Sequence, residues 1–240
     1  MKNHLKALIK KLPIAFTQNQ RYDQQTKRIL KLVCHAHSNC IDVGCHKGEV
    51  LDEMLKVAPQ GTHFGFEPIP QLYQNLVQKY ASLPQCYILP IALSNRKETT
   101  HFQLVVENPS YSGLKKRRYA NEAEKVETIE VQTDCLDYIL PKDLAIHFIK
   151  IDVEGGELGV LQGARQTIQQ YKPYIIFEHG IGAADYYGTS PEQIYTLLNQ
   201  ECQLKVSTMK RWLQKLPALT AEEFEAQFYQ KINYYFIAYP

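Results

Sequence analysis

Apolar and polar positions along this chain alternate between two periods. Short apolar runs that end in a polar residue or glycine recur, and stretches with apolar residues three or four apart follow them. Residues 40–43 form the first such run, Cys40-Ile41-Asp42-Val43, closed by Gly44. Val50, Leu51, Met54, Leu55 and Ala58 then fall on one helical face. A strand, a glycine turn and a helix open an α/β unit. Residues 62–66 read as a second strand closed by Glu67-Pro68, and residues 69–80 as a helix with Leu72, Tyr73, Leu76 and Val77 inward. Residues 85–93 read as one further strand, ending in Ala92-Leu93-Ser94-Asn95. Upstream, Ile29, Leu30, Leu32 and Val33 mark a helix over residues 20–37.

The pattern then changes. Residues 99–106 and 126–132 alternate in strand fashion and predict an antiparallel pair. The polar stretch between them carries the run Lys115-Lys116-Arg117-Arg118, which by default is a solvated surface. A linker of that length is also the size of a binding loop or lid. A short helix follows over residues 134–140, with Thr133 or Asp134 as its cap and Pro141 as its stop. Ile146-His147-Phe148-Ile149-Lys150-Ile151 is the most apolar run and is expected at the centre of a sheet. It ends in Asp152-Val153-Glu154-Gly155-Gly156-Glu157 before another helix. Residues 174–177 form the next strand, ending in Glu178-His179-Gly180. A helix over residues 191–199 starts at Ser190-Pro191, and residues 204–207 and 234–238 supply a closing antiparallel pair.

Ligands of an open α/β sheet gather beyond the carboxyl ends of its strands. Asp42, Gly44, Glu67, Ser94, Asp152, Glu154, Glu157, Glu178 and His179 all stand at such ends. Glu67 follows Asp42 at about the interval at which an acidic residue meets ribose hydroxyls. Two spaced acids with a glycine turn favour an adenosine-containing ligand. The absent third glycine argues against a pyrophosphate, hence against a nicotinamide-dependent oxidoreductase, and for S-adenosylmethionine. Asp152, at the end of the central strand, is a candidate base for a substrate hydroxyl, or a ligand of a cation that acidifies it. His179 is the stronger base on chemistry alone, with Glu178 to orient it.

These motifs resemble the FkbM family of S-adenosylmethionine-dependent methyltransferases. The resemblance rests on residues 41–48, Phe66-Glu67-Pro68, Ala92-Leu93-Ser94, residues 133–137, residues 149–164 and residues 173–178. It implies a Rossmann-like class I methyltransferase sheet of about seven mostly parallel strands, with an antiparallel C-terminal strand and an inserted β-hairpin. It also implies bound S-adenosylmethionine and O-methylation of a hydroxyl on a sugar or small metabolite. By resemblance Asp42, Gly44 and Gly48 face the methionine part, Glu67 the ribose, and Ala92 to Ser94 the adenine. Relatives often carry His after the glycine at 155, where this chain has Gly156, so Asp152, His179 and Glu178 are the catalytic candidates. N-methylation of an amine and a non-catalytic adenosine-ligand-binding domain are the alternatives.

Composition narrows the picture further. The chain has 240 residues, 45% of them hydrophobic, enough for one α/β core. Residues 1–38 are expected as a helical extension and 39–240 as the methyltransferase domain. A formal charge of +2 gives no electrostatic pointer to nucleic acid. No run reaches the length of a membrane span, and no signal peptide is visible. Residues 1–12 read as an amphipathic helix, either packed on the domain or lying on a membrane surface. Six scattered cysteines without a Cys-x-x-Cys pair point to buried thiols and a cytoplasmic location. His35 and His37, near Cys34 and Cys40, lack a second cluster to complete a metal site, and no metal is expected.

Overall fold

A computed structural model describes residues 17–118 and 124–240. The amphipathic stretch expected over residues 1–12 lies outside them. A helix, Gln18–Val33, opens the described chain, and a capping box fixes its start: Thr17 and Gln20 exchange side-chain-to-backbone bonds.

The main sheet has seven strands in the order β3-β2-β1-β7-β8-β10-β9. These are β1 (Cys40–Val43), β2 (His63–Phe66), β3 (Cys86–Leu89), β7 (Phe148–Ile151), β8 (Tyr174–Glu178), β9 (Lys205–Thr208) and β10 (Tyr235–Tyr239). Neighbours pair in parallel except β10, which is antiparallel to both β8 and β9. The expected α/β class, the central place of β7 and the closing antiparallel pair are all present.

Three expectations need correction. The apolar run over residues 85–93 is two strands, because Pro90 has no N–H for a ladder. β3 stays in the main sheet, while β4 (Ile91–Leu93) joins a second sheet of order β4-β6-β5, with β5 (Glu98–Val105) and β6 (Val126–Asp134) antiparallel. The cap of the Leu136–Ile139 helix is Cys135, not Thr133 or Asp134, since β6 runs on through both. Thr133 Oγ1 instead accepts from Glu98 N at 3.3 Å, and Asp134 Oδ1 from Cys135 N at 2.8 Å. Third, the basic run is not wholly solvated: Arg117 turns inward while its three neighbours stay exposed.

Period-2 alternation sorts side chains to the two faces of the sheet. Ile41, Val43, Ile149 and Ile151 join one core cluster; Cys40, Phe148, Ile176 and Ile237 join another, together with Ile29 and Leu30 of the first helix. Asp42 and Lys150 share the second face and lie side by side in register. Strand order reverses between β1 and β7, so a crevice opens at their carboxyl ends.

Candidate active site

The turn after β1 is shaped by close approach. Gly44 has φ 77°, and a Cβ there would sit 2.0 Å from the Asp152 carbonyl oxygen. Only glycine lets the β1 and β7 loops meet. His46 holds φ 51°, and its N–H donates to Glu67 Oε2 at 2.8 Å. Ile69 N donates to Glu67 Oε1 at 3.0 Å. Glu67 is thus buried, with each oxygen singly engaged among the described residues, and a carboxylate oxygen has room for a second donor. Burial raises its pKa. Gly48 stands apart from the cleft, beneath Tyr80, whose hydroxyl donates to Gly48 O at 3.0 Å.

Under this turn lies a charged cluster. Lys150 Nζ donates to Gly44 O at 3.1 Å and stands 3.6 Å from Asp42 Oδ1 and 3.4 Å from Asp152 Oδ2. Burial works against the Lys150 charge, but Asp152 and Asp42 outweigh it and raise its pKa. Asp42 is buried, and its Oδ1 has no hydrogen-bond partner among the described residues. Burial raises its pKa, with Lys150 opposing. The Tyr235 hydroxyl of β10 donates to Asp152 Oδ2. At Asp152, burial favours the neutral acid, yet Lys150, Tyr235 and Glu178 together hold the pKa below its ordinary value. Glu178 is pushed well up by burial and by the Asp152 charge. Of this coupled pair, Asp152 is the ionised member and Glu178 the protonated donor.

Glu157 has a separate task. Its Oε1 accepts from Val153 N at 3.0 Å and Gly155 N at 3.1 Å, closing the turn that carries Asp152 and Glu154. Burial raises its pKa to about 7. Glu154 sits in that turn at φ 59°, a conformation costing about 1–2 kcal/mol for a residue with a Cβ.

Two lobes open above these groups. One is small and apolar, with Ile69, Ala92, Leu93 and Phe102 in its wall and Glu67 at its edge. The other is a wider groove toward the Gln18–Val33 helix, walled by Tyr22, Asp23, Lys27 and Tyr235. Gly44, His46, Ser110, Asp152 and Glu154 line both. The structure therefore gathers Gly44, Glu67, Ala92 and Asp152 at one cleft, with Asp42 and Glu178 beneath it.

Ser94 and His179 are not brought to that cleft. Ser94 lies under the Glu157–Gly163 helix, where a Cβ on Gly163 would meet its carbonyl oxygen at 2.0 Å. His179 is buried in an aromatic nest, its ring 4.6 Å from Phe228 and 6.0 Å from Phe224. Neither ring nitrogen has a partner among the described residues, and burial lowers its pKa to about 4. Lys150 and Tyr235 were missed from sequence. A lysine between Ile149 and Ile151 in a doubly buried strand was a readable signal for the first; nothing local marks Tyr235.

The model of the methyltransferase FkbM domain matches residues 42–206. This chain belongs to the FkbM methyltransferase family. Among solved structures, it is similar to methyltransferase FkbM from Methylobacillus flagellatus KT, with a TM-score of 0.53 at 15% identity over 86% of this chain. The match takes in 44% of that protein, so this chain spans less than half its length. It is also similar to precorrin-6y C5,15-methyltransferase from Geobacter metallireducens GS-15 (TM-score 0.46, 13% identity, 80% of this chain and 74% of that one). A putative rRNA-methylase from Clostridium thermocellum gives 0.46 at 10% identity, over 77% of this chain and 84% of that one. No curated protein sequence matches the chain. The FkbM family and the Rossmann-like sheet are those of S-adenosylmethionine-dependent methyltransferases. No helix among the described residues is long and apolar enough to cross a membrane.

Proposed function

We propose that this FkbM-family chain transfers a methyl group from S-adenosylmethionine to a hydroxyl of a sugar or another small molecule. The observation that carries the reading is the meeting of an apolar and a polar lobe at one carboxylate, Asp152.

The residues present suit the cofactor. Ile69, Ala92 and Phe102 offer apolar faces to a purine, and Glu67 has acceptor capacity left for ribose hydroxyls. The Gly44 turn leaves backbone room that any Cβ would fill, and Asp42, paired with Lys150, supports that turn from beneath. Ser94 and Gly48 act behind these walls, through packing. When bound, S-adenosylmethionine supplies a methyl carbon on a positively charged sulfur.

What remains for the chain is alignment and removal of one proton. The polar lobe holds the acceptor, and its hydroxyl proton passes to Asp152. Lys150 and Tyr235 both engage Oδ2 of Asp152, and each carboxylate oxygen can take more than one donor. Glu178, protonated, steadies the same carboxylate. In this reading His179 takes no part in the transfer.

The test is calorimetric titration of S-adenosylhomocysteine into the native protein and Glu67→Ala. Micromolar binding that the substitution weakens at least tenfold is expected. A folded native protein that binds none would overturn the proposal. With an acceptor in hand, Asp152→Asn should abolish turnover while leaving S-adenosylhomocysteine binding nearly unchanged.

A further inference from the structure

Residues 109–118 cross the cleft as a strap. One end is tied to β5: Gln103 N donates to Gly113 O at 2.8 Å, and Gly113 N to Gln103 O at 3.2 Å. Ser112 Oγ accepts from Val105 N at 2.9 Å. The other end rests on the loop after β8, where Arg118 N donates to Gly182 O at 2.8 Å and Lys115 N to the Tyr187 hydroxyl at 2.9 Å. Along the strap Ser110, Ser112 and Leu114 line the apolar lobe, and Ser110 also lines the polar one. Arg117 points down. Its guanidinium pairs with the Glu154 carboxylate and lies 5.1 Å from the centre of the Tyr111 ring.

Below Arg117, one oxygen each from Asp152, Glu154 and Glu178 lie within 4.8 Å of one another. That spacing would let a divalent cation stand about 2.0–2.6 Å from all three. Carboxylates so close repel unless a positive charge or a proton intervenes. Lys150 serves the Asp152 side. Arg117 serves Glu154 directly, and its charge also reaches Glu178. Arginine suits this place because its planar fork matches carboxylates and never loses its charge.

We propose that Arg117 is the internal counter-ion at the Glu154 edge of this carboxylate group, and that its guanidinium, by holding Glu154, keeps a divalent cation from binding the three. Arg117 is thus a positioning residue: its ion pair seats the strap over the lobe junction and fixes the direction of Glu154. The inference rests on the proposed site only in taking Asp152 as part of it.

Manganese(II) binding, followed by electron paramagnetic resonance on the full chain, tests this without an acceptor. The native protein should bind no manganese below about 1 mM, a cut-off set by the weakest calcium-type sites. Arg117→Ala should bind it at least tenfold more tightly, Arg117→Lys, which keeps the charge but not the fork, should gain less than Arg117→Ala, and Arg117→Ala with Glu178→Gln should lose the gain. Native binding that Glu178→Gln abolishes would overturn the proposal. So would an Arg117→Ala protein with no gain over native. If that variant does not fold, Arg117→Gln keeps most of the side-chain volume and carries the same expectations. S-adenosylhomocysteine titrated into the same samples separates the two claims. Retained binding without a manganese gain sinks only the Arg117 role, and absent binding in the native protein sinks only the cofactor site.

Discussion

A single methyl group added at Gly44 should damage both stability and binding. The new Cβ would stand 2.0 Å from the Asp152 carbonyl oxygen, at a φ of 77° that already disfavours any side chain. Gly44→Ala is therefore expected to destabilise by about 2–4 kcal/mol, read from urea unfolding, and to lose S-adenosylhomocysteine binding. His179 gives the opposite expectation. Its two nitrogens are buried beside Phe224 and Phe228 without partners among the described residues, and an unmet buried polar group costs about 1–3 kcal/mol. His179→Phe should stabilise by about 1 kcal/mol at pH 7 and keep turnover. The gap should widen in acid. The unfolded histidine takes its proton near pH 6.5, while the folded one resists until about 4. The wild type thus loses stability as pH falls through that window, and the phenylalanine variant does not. Urea midpoints at pH 7 and 4.5 measure both effects; a destabilised variant at either pH refutes the argument. From sequence, His179 at a strand end looked like a base. One-dimensional order put it beside Glu178, but adjacent strand residues point to opposite faces, and only the packing of a distant helix shows what lies there.

Elements were the most legible scale. Apolar periodicity located the strands at Asp42, Glu67, Asp152 and Glu178, because each is short, buried and closed by a polar residue or a glycine. The residue 85–93 run was misread for a local reason: its apolar content is continuous, and Pro90 alone divides it. Two helices near the end, Met209–Leu213 and Ala221–Tyr229, were not read at all, although the second carries a capping box at Thr220 and Glu223. The Gln18–Val33 helix was read, but not its role. It roofs the second core cluster with Ile29 and Leu30, both fully buried, and walls the polar lobe with Tyr22, Asp23 and Lys27. Ile29→Ala should therefore cost about 2–4 kcal/mol in urea unfolding, the range for a large residue cut back in a packed core. A surface extension lying loosely on the domain would show less than about 0.5 kcal/mol instead.

At the scale of the molecule, the site follows from topology. The strand order reverses between β1 and β7, and β10 enters antiparallel beside β8. Asp42, Lys150, Asp152 and Tyr235 therefore come from three strands to one side of one crevice, although Asp42 and Tyr235 lie at opposite ends of the chain. Such long-range convergence leaves no mark in local sequence, which is why the acids were legible and their shared lysine and tyrosine were not. It also makes ligand binding a property of the whole fold. A ligand that binds only the folded chain at one hundred times its dissociation constant adds about 2.7 kcal/mol of stability. For a chain of this size, each kcal/mol raises the melting temperature by about 2–4 °C, so saturating S-adenosylhomocysteine should shift it by about 5–10 °C. Glu67→Ala, measured at the same ligand concentration, should shift by less than half as much. Asp152→Asn should keep nearly the native shift, because Lys150 still holds the Gly44 turn and Glu67 still faces the apolar lobe. If Asp152→Asn instead abolishes the shift, Asp152 serves the cofactor rather than the acceptor. The proton must then leave by another group of the polar lobe, with Glu154 first in line because it alone of the remaining acids lines both lobes.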